Sequence, residues 1–255
     1  MTDVPILKIE HLGHAYGKFQ VINDISLAIP KGELTALIGP NGAGKTTFYN
    51  VVSGRFPPSK GKVFFDGQEI TGKPAHKIVS LGMLRSFQIT NIFPELSVRE
   101  NVLIPLLLQH RRGYIFFRPL NREKQLHQKA DEILSKIGIL EYGDKPAREL
   151  AYGDKRLVEM AIVLARNPKL VLLDEPTAGM NPEETERMVL LIKELAERFG
   201  TTFFLTEHDM KVVFSIAKRI FVLHQGGLLA TGTPEEIHAN HRVREAYLGG
   251  EAIEC

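Results

Sequence analysis

A strand-like segment followed by a glycine-rich turn constrains the fold of this chain more than any other feature. Residues 34–38 predict a buried strand that ends at Gly39, and residues 46–53 predict a helix. Between them the sequence fits G-x-x-x-x-G-K-[ST], which in this context is a phosphate-binding loop. A purely structural glycine-rich turn is the alternative, and the flanking strand and helix argue against it. The residues expected at the phosphates are Gly39, Pro40, Asn41, Gly42, Ala43, Gly44, Lys45, Thr46 and Thr47.

The chemistry of this loop follows from its residue types. Glycines allow consecutive backbone N–H groups to turn toward one point, and the N-terminus of the helix adds partial positive charge. We expect the Lys45 ammonium to lie against the β- and γ-phosphates and to assist catalysis, and the Thr46 hydroxyl to bind Mg²⁺. The sequence therefore predicts a chain that binds a nucleoside triphosphate together with Mg²⁺.

The charge balance narrows the classes of partner. The 255 residues include 32 basic and 30 acidic side chains, and the net charge of +2 argues against a nucleic-acid clamp. No apolar run approaches the roughly 18–20 residues of a membrane-spanning helix, and we expect no signal peptide. The single cysteine, Cys255, excludes a disulfide framework and indicates a reducing compartment.

The first third of the chain predicts an antiparallel β subdomain beside the phosphate loop. Its strands are expected at 7–10, 25–29 and 62–66, and Asn23-Asp24 predicts a turn before the second of them. Short strands separated by turn residues in this way favour antiparallel pairing.

The order of the remaining elements indicates an α/β fold with an insertion. Helical patterns fill 88–166, and the first of these helices opens with the capping box Ser97 and Glu100. Strands and helices then alternate, which predicts a mostly parallel sheet. We therefore expect a single domain with a phosphate-loop nucleoside triphosphatase core, 1–87 and 167–255, and an α-helical subdomain, 88–166.

A second motif places two carboxylates at the end of a strand. Residues 169–173 predict a buried strand that leads directly into Asp174-Glu175. Because ligands gather at the carboxyl ends of parallel strands, Asp174 is positioned to hold Mg²⁺, through water, and Glu175 to act as a general base. An acidic turn after a strand is the alternative, which the phosphate loop upstream disfavours.

Two single residues are weaker candidates. His208 follows a strand predicted at 201–206, so it belongs at the same edge of the sheet, but a lone histidine is more often a surface or core residue. Gln88 stands where the core meets the helical subdomain. It could reach Mg²⁺ or water, although its position alone says little.

These motifs, in this order, resemble the ATP-binding cassette ATPase family over nearly the whole chain. The resemblance rests on 39–46, Gln88, 150–154, Asp174-Glu175 and His208. The finer texture is similar to the nucleotide-binding subunits of bacterial and archaeal branched-chain amino-acid importers. That texture lies in 150–153, 178–182, 207–211, 233–237 and 246–249.

The resemblance implies a role for each motif. Tyr16 would stack on adenine, although it could instead pack within the antiparallel sheet. Gln88 would couple Mg²⁺ to a transmembrane partner, and His208 would contact the γ-phosphate and orient water. Ala151, Tyr152 and Gly153 would form the signature segment, which binds the γ-phosphate of ATP held by a second nucleotide-binding subunit.

The resemblance also implies a function. The chain would be the ATPase of a membrane importer, cytoplasmic and peripheral on the inner face of the cell membrane. ATP and Mg²⁺ would close it on a second copy or a paralogue, and closure would drive separate transmembrane permease subunits. The alternatives are the ATPase of a lipid or lipopolysaccharide exporter and a soluble cassette protein that acts on nucleic acid. We expect no nucleic-acid partner.

Several residues depart from the family pattern. Ala151 replaces the usual serine, so one hydroxyl donor to the γ-phosphate is missing, and Asp154 places negative charge near the phosphate approach. Asn181 replaces the usual aspartate of the following loop. We expect a weaker closed dimer than the full signature would give. The basic and aromatic segment 109–128 predicts either a helix–helix connection or contact with a membrane surface or membrane partner.

Overall fold

The computed structural model describes residues 4–85, 92–109 and 124–248. Gln88, Cys255 and most of the segment 109–128 lie outside the described residues. The chain divides into two compact units, each described by itself below. Unit 1 comprises Met1–Arg85, Lys169–Ala178 and Val189–Cys255, and unit 2 comprises Ser86–Pro168 and Gly179–Met188. The subdomain boundaries expected at 88 and 166 stay a prediction.

The described strands are β1 (Leu7–Tyr16), β2 (Phe19–Ile29), β3 (Leu34–Ile38), β4 (Lys60–Phe65), β5 (Gln68–Glu69), β6 (Met83–Arg85), β7 (Leu170–Asp174), β8 (Thr202–Thr206), β9 (Arg219–His224) and β10 (Gly227–Gly232). The described helices are α1 (Lys45–Val52), α2 (Ala75–Leu81), α3 (Val98–Gln109), α4 (Lys124–Ile137), α5 (Tyr152–Leu164), α6 (Pro182–Phe199), α7 (Met210–Ile216), α8 (Pro234–Ala239) and α9 (His241–Leu248). No helix in these parts of the chain combines the length and the apolar character needed to cross a membrane.

Unit 1 contains an antiparallel sheet in the order β2-β1-β4-β5. The predicted turn at Asn23-Asp24 is wrong, because β2 runs through it and the hairpin turns at Gly17-Lys18 instead. Asp24 lies at φ +54°, beside a register shift in the β1–β2 pairing. Aspartate tolerates the left-handed conformation both in turns and in β-bulges. The residue type therefore predicted a turn at a position where the structure has a bulge.

The second sheet of unit 1 has the order β10-β9-β3-β8-β7-β6. All neighbours are parallel except the β9–β10 hairpin, which confirms the mostly parallel sheet. Every residue of β3, β7 and β8 is buried. Strands in the middle of such a sheet are covered on both faces, which accounts for their nearly continuous apolar sequences.

One apolar core joins the antiparallel sheet, α1 and the parallel sheet. Its members include Ile9 of β1, Phe65 of β4, Phe48 of α1 and Phe204 of β8. The Tyr49 hydroxyl, buried in the same core, donates a 2.7 Å hydrogen bond to the Phe204 carbonyl. Burial of these large side chains fixes α1, and with it the phosphate loop, against the centre of the parallel sheet.

Unit 2 is helical, as predicted, and its first helix begins where the sequence indicates. Ser97 and Glu100 form the reciprocal capping box: the Glu100 amide donates to Ser97 Oγ at 3.1 Å and the Ser97 amide to Glu100 Oε2 at 2.8 Å. Asn101, buried in the next turn, exchanges hydrogen bonds with the backbone of Phe93. These contacts fix the start of α3.

Candidate functional site

Three neighbouring parallel strands of unit 1 end together and set the position of the site. Thr206, the last residue of β8, pairs in register with Leu37 of β3 on one side and with Asp174 of β7 on the other. The phosphate loop follows β3, Glu175 follows β7 and His208 follows β8. The sheet therefore brings the two strong sequence motifs and the weaker histidine candidate to one edge.

The phosphate loop requires glycine at two positions for different reasons. Gly44 caps α1 at φ +103°, and a Cβ there would lie 2.9 Å from Ile22 Cδ1. At Gly39 a Cβ would lie 2.3 Å from the Leu223 carbonyl oxygen, so no other residue fits without displacing β9. The loop is thus held against two sheets, with backbone amides at the N-terminus of α1.

Lys45 lies folded across this loop. Its side chain is largely buried, and Nζ donates to the carbonyl oxygens of Gly39 at 2.5 Å and Pro40 at 3.3 Å. Burial lowers the pKa of the Lys45 ammonium, while Glu175 and Asp174 oppose that shift. A cation bonded to an amide-rich loop suits a phosphate ligand.

Asp174 is held by two donors, one for each carboxylate oxygen. Thr206 Oγ1 donates to Oδ1 at 2.8 Å, and an Arg85 guanidinium nitrogen donates to Oδ2 at 2.6 Å. Asp174 and Arg85 have side chains that are each only 9% exposed. The sequence predicted Asp174 but gave no signal for its arginine partner.

The donor set at this edge fits Mg²⁺. Thr46 in the first turn of α1 and Asp174 supply hard oxygen atoms, which Mg²⁺ prefers, and Mg²⁺ in such sites takes few protein ligands besides phosphate and water. Within the described ranges, no cluster of three or more His, Cys, Asp or Glu residues could hold an ion by itself. With Thr46 and Asp174 as protein ligands, phosphate and water oxygens would complete the coordination of Mg²⁺.

Glu175 and His208 form a direct pair. His208 Nε2 lies 2.7 Å from Glu175 Oε1, and because an ionised carboxylate only accepts, this nitrogen carries the proton. Glu175 has a left-handed backbone, φ +50°, and its amide donates to the Thr206 carbonyl at 3.0 Å. Such a conformation is costly for a residue with a side chain, and here a backbone bond fixes it.

Glu207 is a residue of this edge that sequence reasoning missed. Its buried Oε1 accepts from the Thr177 amide at 2.9 Å and the Thr177 hydroxyl at 2.7 Å, while Oε2 accepts from the His208 amide at 3.3 Å. Burial raises the pKa of the Glu207 carboxyl. Glu207 therefore connects the loop after Glu175 to the backbone of His208.

Tyr16 ends β1 with about half of its side chain, 47%, exposed. Its ring meets the rings of His14 and Phe56 edge-on, at centroid distances of 4.8 and 5.7 Å. The Tyr16 ring thus packs against two other rings and is still partly exposed to solvent, a geometry compatible with stacking on a base. Stacking on adenine stays a prediction.

The signature segment lies in unit 2 and begins α5. Ala151 is the N-cap and offers no side-chain bond, and the Gly153 amide donates to Glu184 Oε1 at 3.2 Å. Arg187 donates to Asp154 at 3.0 Å, so the negative charge that we expected near the phosphate approach is paired. Binding of a γ-phosphate here stays a prediction.

Asn181 has a structural role that accounts for its residue type. Its side-chain oxygen accepts from the Glu184 amide at 2.9 Å, and its amide donates to Glu184 Oε2 at 3.0 Å. Asparagine and aspartate are equally good at such helix starts. The departure from the usual aspartate therefore leaves the start of α6 capped.

Comparison with known proteins gives a consistent family. The family described as ABC transporter matches residues 22–178, and the family described as branched-chain amino acid ATP-binding cassette transporter matches residues 228–253. The chain is 40% identical over 250 residues to the high-affinity branched-chain amino acid transport ATP-binding protein LivG of Escherichia coli strain K12, with 96% of this chain and 98% of that protein covered.

The chain is also similar to an export-system protein and to a solved structure. The lipopolysaccharide export system ATP-binding protein LptB of Haemophilus influenzae is 34% identical over 244 residues, covering 96% of this chain and 97% of that protein. Among solved structures, an ATP-binding cassette of an ABC transporter in its ADP conformation matches with a TM-score of 0.86 and 30% identity, covering 97% of this chain and 100% of that one.

Proposed function

This chain belongs to the ATP-binding cassette (ABC) transporter family, and we propose that it is the ATP-hydrolysing subunit of an importer for branched-chain amino acids. The branched-chain family matches the C-terminal residues 228–253. The branched-chain transport relative is also more similar, at 40% identity, than the lipopolysaccharide export relative at 34%.

The phosphate loop and Lys45 are proposed to bind the triphosphate. The backbone amides at the start of α1 would donate to the β- and γ-phosphates, and the Lys45 ammonium would exchange the Gly39 and Pro40 carbonyl oxygens for phosphate oxygens. Tyr16 would offer the exposed face of its ring to adenine.

Glu175 and His208 are proposed to carry the hydrolytic step. Water attacks the γ-phosphorus, its proton passes to Glu175, and the bond to the ADP oxygen breaks with its electron pair on ADP. His208 Nε2–H holds the Glu175 carboxylate in one orientation through their 2.7 Å bond. Thr46 and Asp174 would hold Mg²⁺, which neutralises phosphate charge when bound.

Two copies, or this chain and a paralogue, are proposed to share each ATP. The signature segment from Ala151 to Gly153 would meet the γ-phosphate of the opposite subunit, and Gln88 would couple Mg²⁺ to the permease. We place the assembled chain on the cytoplasmic face of the membrane, bound to permease subunits. Because ATP would bind the closed pair far more tightly than the open one, it would shift the population toward closure.

The single observation that carries the ATP-hydrolysing part of the proposal is the Glu175–His208 pair at the sheet edge that also holds the phosphate loop, and the family match at 228–253 supports the branched-chain substrate. The test is uptake of isotope-labelled leucine by a deletion strain carrying either the wild-type gene or a Glu175→Gln variant. Restoration by the wild type alone supports import of branched-chain amino acids. Normal uptake in the uncomplemented strain contradicts it, and copurification with lipid-export membrane subunits would favour the exporter class.

A further inference from the structure

We propose that Arg85 is a positioning residue for the Mg²⁺-binding carboxylate: it orients Asp174 and ties it to the helix that carries the phosphate loop. The inference rests on the proposed function, since it concerns how the nucleotide and its Mg²⁺ are held. Arg85 belongs neither to the phosphate loop nor to the Asp174-Glu175 motif. It ends β6, the edge strand, and pairs in register with Leu172 of β7.

The first observation is that the two terminal nitrogens of the Arg85 guanidinium contact two different residues. One terminal nitrogen of Arg85 donates to Asp174 Oδ2 at 2.6 Å, and the other donates to Asn50 Oδ1 at 2.7 Å. Asn50 is itself buried and lies on α1, one turn after Thr46. The planar guanidinium thus joins the β7 carboxylate to the helix whose first turn would bind phosphate and Mg²⁺.

The second observation is that the guanidinium is enclosed. Its central carbon lies 5.6 Å from the centre of the buried Tyr49 ring, whose hydroxyl is fixed to the Phe204 carbonyl. A guanidinium over an aromatic face is favourable, and here the ring also limits rotation. Arg85 is therefore held by three buried residues of unit 1, which are Asp174, Asn50 and Tyr49.

The third observation concerns the free acceptor sites of Asp174. A carboxylate has about four lone-pair directions. Arg85 and Thr206 use one on each oxygen. Among the described residues no other side chain donates to these oxygens, so one direction on each is open to an ion or its water, and the two donors fix where those directions point. Without Arg85 the carboxylate loses one of the two side-chain donors found in the described part of the chain, and it can rotate.

The predicted consequence is selective for the metal. Groups that orient a metal ligand change metal affinity by about 10–100-fold when they are removed. We therefore expect Arg85→Lys to weaken binding of Mg²⁺-ATP by roughly tenfold and to change binding of metal-free ATP by less than about twofold. Lysine keeps the charge, but its compact ammonium cannot form both hydrogen bonds in the geometry of the planar guanidinium.

The experiment titrates a fluorescent, non-hydrolysable ATP analogue into the full chain, once with Mg²⁺ and once with EDTA. The variants are Arg85→Lys and Asn50→Ala. The second variant removes one of the two hydrogen bonds without altering the arginine. Arg198→Lys is the matched control, because Arg198 also donates to a carboxylate, Glu194 Oε1 at 2.8 Å, but in an exposed contact on α6 outside this site. Thermal unfolding of each variant establishes that it is folded.

The outcomes separate the inference from the proposed function. A loss confined to the Mg²⁺ titration, absent when Arg85→Lys is placed in an Asp174→Asn background, supports a positioning role through Asp174. Equal losses with Mg²⁺ and with EDTA, or no loss, overturn the inference. If the wild-type chain binds the analogue in neither titration, the proposed function fails. Asn50→Ala keeps the test decisive if Arg85→Lys does not fold.

Discussion

His208 Nε2 and Glu175 Oε1 lie 2.7 Å apart, although the two residues are 33 positions apart in the chain. Each side chain follows a different strand, and the two strands, β8 and β7, are parallel neighbours whose last residues pair in register. The sheet therefore fixes the distance between the proposed base and the residue that orients it. Residues in such direct contact are expected to act as a unit.

Replacement of Glu175 by glutamine is predicted to lower ATP hydrolysis by about 10²–10⁴-fold, since a general base contributes on this order. Glutamine keeps the size of the side chain and removes its basicity, so binding of ATP should persist. Phosphate release and retention of labelled ATP measure the two effects. A variant that hydrolyses ATP at close to the wild-type rate would remove Glu175 from the proposed step.

Replacement of His208 by alanine is predicted to slow hydrolysis as well, and less than additively with Glu175→Gln. Once the carboxylate is gone, the histidine has no base to orient, so the double variant should resemble the Glu175→Gln variant. His76→Ala, an exposed histidine on α2, is the control. Losses that multiply in the double variant would contradict the coupling.

The motifs and the parallel sheet could be predicted from the sequence because both are local patterns. The phosphate loop, the Asp174-Glu175 strand end and the capping box at Ser97 each need only a few consecutive residues. The position of His208 followed as well, since residues after parallel strands share an edge.

Contacts that depend on register could not be predicted in this way. Arg85 meets Asp174 only because a three-residue edge strand pairs with β7, and so short a strand carries little periodic signal. Glu207 meets Thr177 across two loops whose paths no motif describes. The left-handed backbone of Glu175 could not be predicted either, since residues other than glycine rarely adopt this conformation.

Replacement of Ala151 by serine is predicted to tighten the ATP-dependent pair. A serine hydroxyl at the N-cap of α5 would add one hydrogen bond to a charged phosphate, worth about 1.5–3 kcal/mol, which corresponds to at least about tenfold in affinity. The measurement is dimerisation in ATP of a Glu175→Gln chain with and without Ala151→Ser. Unchanged affinity would refute the role assigned to the signature segment.

Glu207 is predicted to make stability depend on pH. Burial raises the pKa of its carboxyl above the ordinary value of 4.5, so the folded chain binds this proton more tightly than the unfolded chain. Its contribution therefore favours folding at low pH and is lost as the pH rises from about 4.5 through the raised value.

The measurement is the difference in melting temperature between the wild type and Glu207→Gln at pH 5 and pH 7.5. We expect the wild type to gain relative to the variant at the lower pH. Comparing the two chains at each pH cancels the titration of groups that are distant from Glu207. A difference that is constant, or larger at pH 7.5, would contradict the prediction.

Glu184 is predicted to stabilise unit 2. It completes the capping contact with Asn181 and accepts from the Gly153 amide, so Glu184→Ala should cost about 1 kcal/mol and lower the melting temperature by about 2–4 °C. Glu183→Ala, in the same helical turn, changes the charge equally and is the control. Equal effects of the two variants would mean that charge at the helix start, and not this contact, is responsible.

Binding of labelled ATP with Mg²⁺ to the purified chain tests the central claim most directly. The wild type and Lys193→Ala, an exposed lysine on α6, should retain the nucleotide. Lys45→Ala should lose most of it, because the ammonium at the phosphate loop is removed. Failure of the wild type to retain ATP, or equal retention by Lys45→Ala, would contradict the account.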